Sequence, residues 1–431
     1  MRKVHSAAIA ALVVMLAGAL DLPAKDAADA GPLTTENFFE RLNKHPSAFG
    51  AFLFFTSREV QDNPELRGYA AQMLATNYSF LGRPNDAIRE FPIHNLEPAP
   101  ADLPDRATHR AVSAVEWIAA RSRQYQVVMV NEAHHKPQTR LLTLALLPEL
   151  RTLGFKYLAA ETFAEDPLKA GYPSRHSGYY TREPIFAEIM REAARLGFEL
   201  IPYEATGEAL NASQQSRETA QAKRIAEVLV RDPAARILVH AGYGHISKHA
   251  RTQPGSADPM AVEFMQATGL PILSVDQTKL TWEDGQAAER LAQAFGIAVP
   301  SILLDRKNET AWSPNPERYD ASVVLPSASP DTLRPDWLEL GGTRQPVVVD
   351  MAPCIGHLPC LVAARYASED GDAIPADQFV MIDPTEVATP LYLAPGQYQL
   401  QLVGNDGNAL LERKLDVPPV PASTPESKAT Q

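Results

Sequence analysis

Short runs dominated by apolar residues recur through the middle of the chain. They are Val127-Val128-Met129-Val130, Tyr157-Leu158-Ala159-Ala160, Phe198-Glu199-Leu200-Ile201-Pro202, Ile237-Leu238-Val239-His240 and Ile272-Leu273-Ser274-Val275. Strands covered on both faces read this way, because neither face needs polar residues. Between the runs lie stretches with helical spacing: Ala107 to Arg123, Leu141 to Leu153, Ile185 to Leu196 and Arg217 to Val230. Two of them stop at Gly154 and Gly197, a helix-stop signal. Strands alternating with helices of this length predict an α/β fold, a parallel sheet covered by helices.

The pattern changes on either side of this region. Thr34 to Phe91 carries small and apolar residues at helical spacing on both sides of the turn Gly82-Arg83-Pro84-Asn85. This predicts an N-terminal helical hairpin of the tetratricopeptide (TPR) kind over residues 34–95. No second copy follows at the repeat period, so it predicts a docking hairpin and not a peptide-binding array. Pro98, Pro100 and Pro104 in a short acidic stretch mark a linker, and the α/β domain follows over 106–330. From about Arg334, Val347 to Asp350, Leu361 to Tyr366, Phe379 to Ile382 and Gln397 to Val403 are short strands between turn residues. Pro395-Gly396 and Asn405-Asp406-Gly407-Asn408 are strong turn signals. A C-terminal all-β sandwich is predicted over 334–418, with a disordered, Pro-, Ser- and Thr-rich tail over 419–431.

The ends of the chain and its bulk properties narrow the function. Arg2 and Lys3 precede a small, apolar, uncharged run from Ser6 to Leu20, and Ala17-Gly18-Ala19 and Ala28-Asp29-Ala30 are cleavage-site patterns. Residues 1–30 therefore read as a signal peptide, too short in its apolar part for the roughly 20 residues that span a bilayer. A soluble periplasmic or secreted protein is expected. Cys354 and Cys360 are the only cysteines, too few for a zinc–cysteine site. In an exported protein they predict one local disulfide, worth roughly 2–3 kcal/mol in the chain-entropy account. The formal net charge of −12 and the lack of a basic run argue against a nucleic-acid partner.

Candidate chemistry sits directly after each apolar run, where open α/β sheets bind ligands beyond the carboxyl ends of their strands. Asn131-Glu132-Ala133-His134-His135 comes after the first, Glu161 after the second and Tyr203-Glu204 after the third. Ala241-Gly242-Tyr243-Gly244-His245 comes after the fourth, and Arg217-Glu218 opens the helix before it. Histidine titrates near neutrality and serves as general base or metal ligand, and a neighbouring carboxylate orients it. Gly242 and Gly244 would let the backbone approach a ligand closely, and Arg217 could pair with a pocket carboxylate or hold an anionic intermediate. Glu132 and Glu161 could equally do no more than cap the helices after them. One of His134 and His135 is expected to face solvent, because neighbours after a strand point apart. His240, inside a strand, reads as structural. Tyr179 and Tyr180, in a long loop, are candidate lid residues. The Gly-x-Gly segment lacks the third glycine and later acid of a dinucleotide site.

In order and spacing, Asn131-Glu132-Ala133-His134-His135, Glu161, Arg217-Glu218 and Ala241-Gly242-Tyr243-Gly244-His245 resemble the four motifs of the superfamily that joins erythromycin esterases, ChaN-like haem-binding lipoproteins and Tiki/TraB proteases. The resemblance runs from about Val127 to Ser247, at most to Pro326. It implies that Glu132, His135 and His245 are catalytic or metal-contacting. The esterases place the first histidine three residues after the glutamate, matching His135; the ChaN-like members place it two after, matching His134. Asn131 stands where the family has glycine, and asparagine tolerates left-handed backbone better than most residues.

Members of that superfamily hydrolyse esters, cleave peptides or bind haem, so fold and motif leave the reaction open. The leading expectation is a periplasmic hydrolase of ester or peptide bonds. Glu132 would be general base on water, alone or through a divalent metal ion; His135 and His245 would position the water or metal, and Glu161 and Arg217 would organise the pocket. A haem- or iron-binding protein is the alternative, with Tyr179, Tyr180, Tyr203 and Tyr243 as candidate ligands. An inactive scaffold, binding protein partners through the helical hairpin or the β-sandwich, is a third.

Overall fold

The structure, a computed structural model, describes residues 31–92, 103–251, 255–280, 287–327 and 332–419. The expected signal peptide, the Pro98–Pro100 part of the linker and the expected disordered tail beyond residue 419 lie outside them. No described helix is long and apolar enough to cross a membrane.

Five helices open the described chain: α1 (Phe38–Leu42), α2 (Ala48–Phe55), α3 (Arg58–Gln61), α4 (Pro64–Phe80) and α5 (Pro84–Glu90). Helices α4 and α5 form the expected hairpin. Asn63 caps α4 by accepting from the Glu65 and Leu66 amides, and Pro64 and Pro84 sit where helices tolerate proline. The apolar faces of these helices are already used. Phe38, Phe52, Phe55, Leu66 and Met73 share one core with Val380 of the C-terminal sheet, and Arg83 reaches the Glu386 carboxylate and the Val380 carbonyl.

The α/β region comes next: β1 (His109–Ser113), α6 (Ala114–Ser122), β2 (Val127–Glu132), α7 (Arg140–Thr152), β3 (Tyr157–Ala160), α8 (Pro184–Arg195), β4 (Glu199–Pro202), α9 (Glu208–Ala212), α10 (Gln214–Arg231), β5 (Ile237–Gly242), α11 (Met260–Thr268), β6 (Ile272–Asp276), α12 (Ala287–Phe295), β7 (Ser301–Asp305) and β8 (Ala321–Val324). All eight strands form one sheet in the order β1-β7-β8-β6-β2-β5-β3-β4. From β8 to β4 the neighbours are parallel. β7 and β1 complete one edge antiparallel. The five expected parallel strands are all present.

One expected helix is corrected. Ala107 to Arg123 is not helical throughout: His109–Ser113 is β1, paired with β7, and the helix starts at Ala114 with Ser113 as its cap. A strand of half-buried residues paired at a sheet edge has no strong periodic signature, so tertiary pairing decides it.

Period-two geometry explains the uninterrupted apolar runs. Val128, Val130, Leu158, Ala160 and Leu238 pack into the core under α7 and α8, with Leu142, Leu146, Phe186 and Ile189. Val127, Met129, Ala159, Ile237 and Val239 point the other way, into a core with Ile225 and Phe264. Burying one such branched side chain contributes roughly 1.5–3 kcal/mol.

The C-terminal region is all-β, as expected. A four-stranded antiparallel sheet, ordered β11-β10-β13-β14, contains β10 (Cys360–Tyr366), β11 (Asp377–Met381), β13 (Gly396–Val403) and β14 (Ala409–Val417). A ribbon of β9 (Gln345–Val347) and β12 (Leu391–Leu393) lies over it, sharing a core with Val362, Phe379 and Leu400. Cys354 and Cys360 form the expected disulfide, with their α-carbons 5.6 Å apart.

Candidate active site

Strands β2, β5, β3 and β4 are consecutive neighbours, so the residues after their carboxyl ends gather at one edge of the sheet. The chain visits them in a different order, which leaves β5 inserted between β2 and β3. Glu132 is the last residue of β2 and is paired in register with Gly242, the last of β5.

The first group is built on Glu132, which is 1% exposed. One carboxylate oxygen accepts from His134 Nδ1 at 2.8 Å; the other accepts from Arg140 Nε at 2.5 Å and lies 3.4 Å from His240 Nε2. Burial alone would raise this carboxyl, but Arg140, His134 and His240 outweigh it and hold it well below the usual range. Arg140 is fully buried at the start of α7. It also donates to the Glu183 carboxylate and to the His134 carbonyl, both at 3.1 Å. Glu183 in turn caps α8, accepting from the Ile185 and Phe186 amides.

The second group is built on Arg217 in α10. It donates to Glu161 Oε1 at 2.6 Å and forks onto Glu204 at 2.5 and 3.0 Å. His245 Nδ1 lies 2.7 Å from the Glu218 carboxylate, and its Nε2 lies 3.6 Å from Glu161 Oε1. Burial disfavours the charged imidazole, but Glu218 and Glu161 prevail and its pKa is raised. Glu161 has the reverse balance. Burial would raise it, yet His245, Arg217, His134 and the Gly242 amide hold it at about 2.

Gly242 joins the two groups. A β-carbon there would lie 2.5 Å from His134 Cε1 and Nε2 and 2.9 Å from Glu161 Oε2. The imidazole and the carboxylate therefore share the space that any other side chain at 242 would fill. Gly242→Ala is expected to displace the His134 ring, costing roughly 1–3 kcal/mol as overpacking does, and loss of the His134 Nδ1 resonance coupled to Glu132 would report it. Gly244 is different: its β-carbon would meet nothing closer than 3.9 Å. The left-handed residue in this turn is Tyr243, at φ 42°.

Acid sensitivity follows from Glu161. A pKa depressed to about 2 from 4.5 contributes stability that is present above pH 4.5 and lost as pH falls toward 2. The amount is on the order of 3 kcal/mol at 1.36 kcal/mol per unit. His245 has the opposite sign: its raised pKa stabilises below 6.5, and that contribution is lost as pH rises through the folded value. Thermal unfolding midpoints should fall steeply below pH 4.5, and Glu161→Gln should flatten that limb. An unchanged acid limb in the variant would contradict the assignment.

Several expectations need correction. His134 and His135 are both buried, at 6% each, His134 against the Tyr180 ring and His135 against Phe91. His135 is nevertheless outside the cluster. Its ring stacks on Phe91 at 3.7 Å and its Nδ1 meets the Tyr243 hydroxyl at 3.1 Å. Glu132, His135 and His245 therefore do not converge as a ligand set. Among the described residues, no three His, Cys, Asp or Glu side chains are arranged to hold a metal ion. Among the described residues, Glu132 and Glu161 accept from no backbone amide at a helix start; Glu183 has that role. His240 lies inside β5 as expected, buried, with Nδ1 2.8 Å from Thr143 Oγ1 and Nε2 3.4 Å from a Glu132 oxygen. Asn131 is not in a left-handed turn. It lies within β2, and its side chain binds the Tyr243 carbonyl, Asp276 and the Gln277 amide, fastening β5, β2 and β6 together.

The loop tyrosines belong to the site. The Tyr180 ring stacks on His134 at 3.7 Å, and Tyr179 packs on Tyr180. The Tyr203 hydroxyl donates to the His240 carbonyl at 3.1 Å. Burial pushes the phenols of Tyr179, Tyr180, Tyr203 and Tyr243 up, Tyr179 to about 12, so all four are held neutral.

Sequence patterns do not single out Arg140 and Glu183. An arginine opening a leucine-rich helix eight residues after Glu132, and a glutamate directly before Pro184, are the only local signals of them.

The chain matches no family model, and no curated protein matches it. Among solved structures it is similar to the type III effector HopBA1, at 16% identity and TM-score 0.28, covering 41% of this chain and 88% of that one. A chain described as "Bacterial protein toxins" matches at 13% identity and TM-score 0.30, covering 57% and 48%. RRSP, a MARTX toxin effector domain from Vibrio vulnificus, matches at 12% identity and TM-score 0.29, covering 57% and 46%. This chain thus spans about half of the latter two. None of the three is described as an erythromycin esterase, a ChaN-like protein or a Tiki protease, and likeness at this level carries no functional weight.

Proposed function

We propose that the protein is an exported hydrolase of ester or peptide bonds, with His134 as general base and His245 as the cationic partner of the developing oxyanion. The observation that supports this most is the pair of carboxylate-oriented histidines, Glu132–His134 and Glu218–His245, on either side of Glu161. With its Nδ1–H donated to Glu132, a neutral His134 would have Nε2 as acceptor, on the ring edge that fills the space over Gly242. A water hydrogen-bonded to Nε2 would give its proton to it as its oxygen adds to the carbonyl carbon. As the carbon–leaving-group bond breaks, that proton passes to the leaving group. His245, whose pKa Glu218 and Glu161 raise, would in its protonated form offer Nε2–H to the oxyanion, beside the Arg217 Nη1 that lies 3.4 Å from it.

Glu132 is better placed to orient than to abstract a proton, because both its oxygens are engaged. Glu161, held ionised at about 2, is a weak base and an effective electrostatic anchor. The export reading is supported by the apolar run after Arg2 and Lys3 and by the Cys354–Cys360 bridge. Periplasmic fractionation and N-terminal sequencing test it. A panel of aryl esters and peptides assayed with wild type and His245→Ala tests the chemistry. Loss of roughly 10²–10³ in kcat/KM is expected in the variant, and equal turnover by both would remove the assignment.

A further inference from the structure

The loop between β3 and α8, with Pro202 and residues 204–206 at the end of β4 and Arg224 of α10, lines a cleft of about 300 Å3 that Glu161, Glu204 and Tyr180 border. Phe163, Tyr179 and Pro202 make part of that wall apolar. Most charges around it are already matched. Glu161 and Glu204 are held by Arg217, Arg224 pairs with Glu165, and Arg175 pairs with Asp372 on the exposed side.

Arg182 is the exception. It lines the cleft and is half-buried, yet its side chain makes no hydrogen bond or ion pair among the described residues. Its Nε is buried without a partner, and its guanidinium rests on the Tyr179 ring at 5.5 Å. Burial and the nearby Arg175 both oppose its charge. A buried Nε without an acceptor is costly, and the deeply buried arginines at this sheet edge, Arg140 and Arg217, have their carboxylates.

We infer that Arg182, with Arg175 at the rim, forms an anion subsite that receives a carboxylate or phosphate group of the substrate, set on an apolar body that lies along Phe163 and Tyr179. Arg182 is two residues from Tyr180, whose ring covers His134. The anion subsite deepens the hydrolase reading by giving the substrate a negative group. It is measured by binding alone, so it stands or falls apart from turnover.

The test is calorimetric titration of the full chain at low ionic strength with inorganic phosphate and, separately, succinate. Wild type should bind at least one probe, and which one it prefers tells phosphate from carboxylate. Arg182→Gln should weaken binding about tenfold, the effect of one charge-assisted hydrogen bond, and Arg182→Lys should recover part of it. Arg175→Gln, at an exposed position, should weaken binding roughly threefold by loss of a screened charge, and carries the test if Arg182→Gln does not fold. His134→Ala should bind the probe as wild type does, even with turnover abolished. No binding of either probe by wild type overturns the inference, as does undiminished affinity in folded Arg182→Gln or, where that variant does not fold, in Arg175→Gln.

Discussion

Arg140→Met is expected to cost about 3–5 kcal/mol of stability, the usual result of removing one partner from a buried ion pair. Arg140 is fully buried between Glu132 and Glu183, both nearly inaccessible to water, and it also satisfies the His134 carbonyl. Methionine fills much of the volume but leaves two carboxylates without their main counter-charge. Urea unfolding of the variant should show a lower midpoint with an unchanged slope. The triple variant Arg140→Met, Glu132→Gln, Glu183→Gln should recover a large part of the loss, because the penalty comes from stranded charge and not from lost volume. A single variant as stable as wild type would mean that water reaches these carboxylates.

His134→Ala should lower kcat/KM by about 10³, within the range for removing a general base, while His135→Ala should change it by no more than a few fold. The two histidines are adjacent in the chain and equally buried, so the contrast isolates position. His134 is tied to Glu132 and borders Glu161; His135 is held between Phe91 and Tyr243. Its loss should register as reduced stability, since a stacked, buried ring is replaced by a methyl group. The reverse outcome, activity lost in His135→Ala and kept in His134→Ala, would reassign the base. In wild type, kcat/KM should decline at alkaline pH as His245 loses its proton, and His245→Ala should abolish that limb.

Much of the architecture is legible in the sequence because buried parallel strands leave a strong local signal. Val127–Val130 and Ile237–Val239 are apolar on both faces since both faces meet a core. The edge strand His109–Ser113 is not legible in the same way, because pairing with a distant segment, and not local periodicity, makes it a strand. The same division holds at the site. Glu132, Glu161, Glu204 and His245 can be singled out, since each lies at the end of its own strand and the sheet's polarity sends them to one edge. Arg140 and Glu183 cannot, because their role depends on which carboxylate or guanidinium faces them across two helices.

By itself, then, the amino-acid sequence determined the parallel sheet, the strand-end placement of the acidic residues and histidines, and the disulfide. Periodicity and turn chemistry act within a few residues, and these features need nothing more. Only the tertiary structure decided which histidine joins Glu132. The insertion of β5 between β2 and β3 brings Gly242 beside Glu132, and the missing β-carbon there admits the His134 ring. Phe91, arriving from the N-terminal helices, takes His135 instead. Asn131 shows the same dependence: in sequence it marks a departure from a glycine, and in the fold its amide ties three strand ends together under the site. Contacts between segments far apart in the chain made these choices, and no local pattern encodes them.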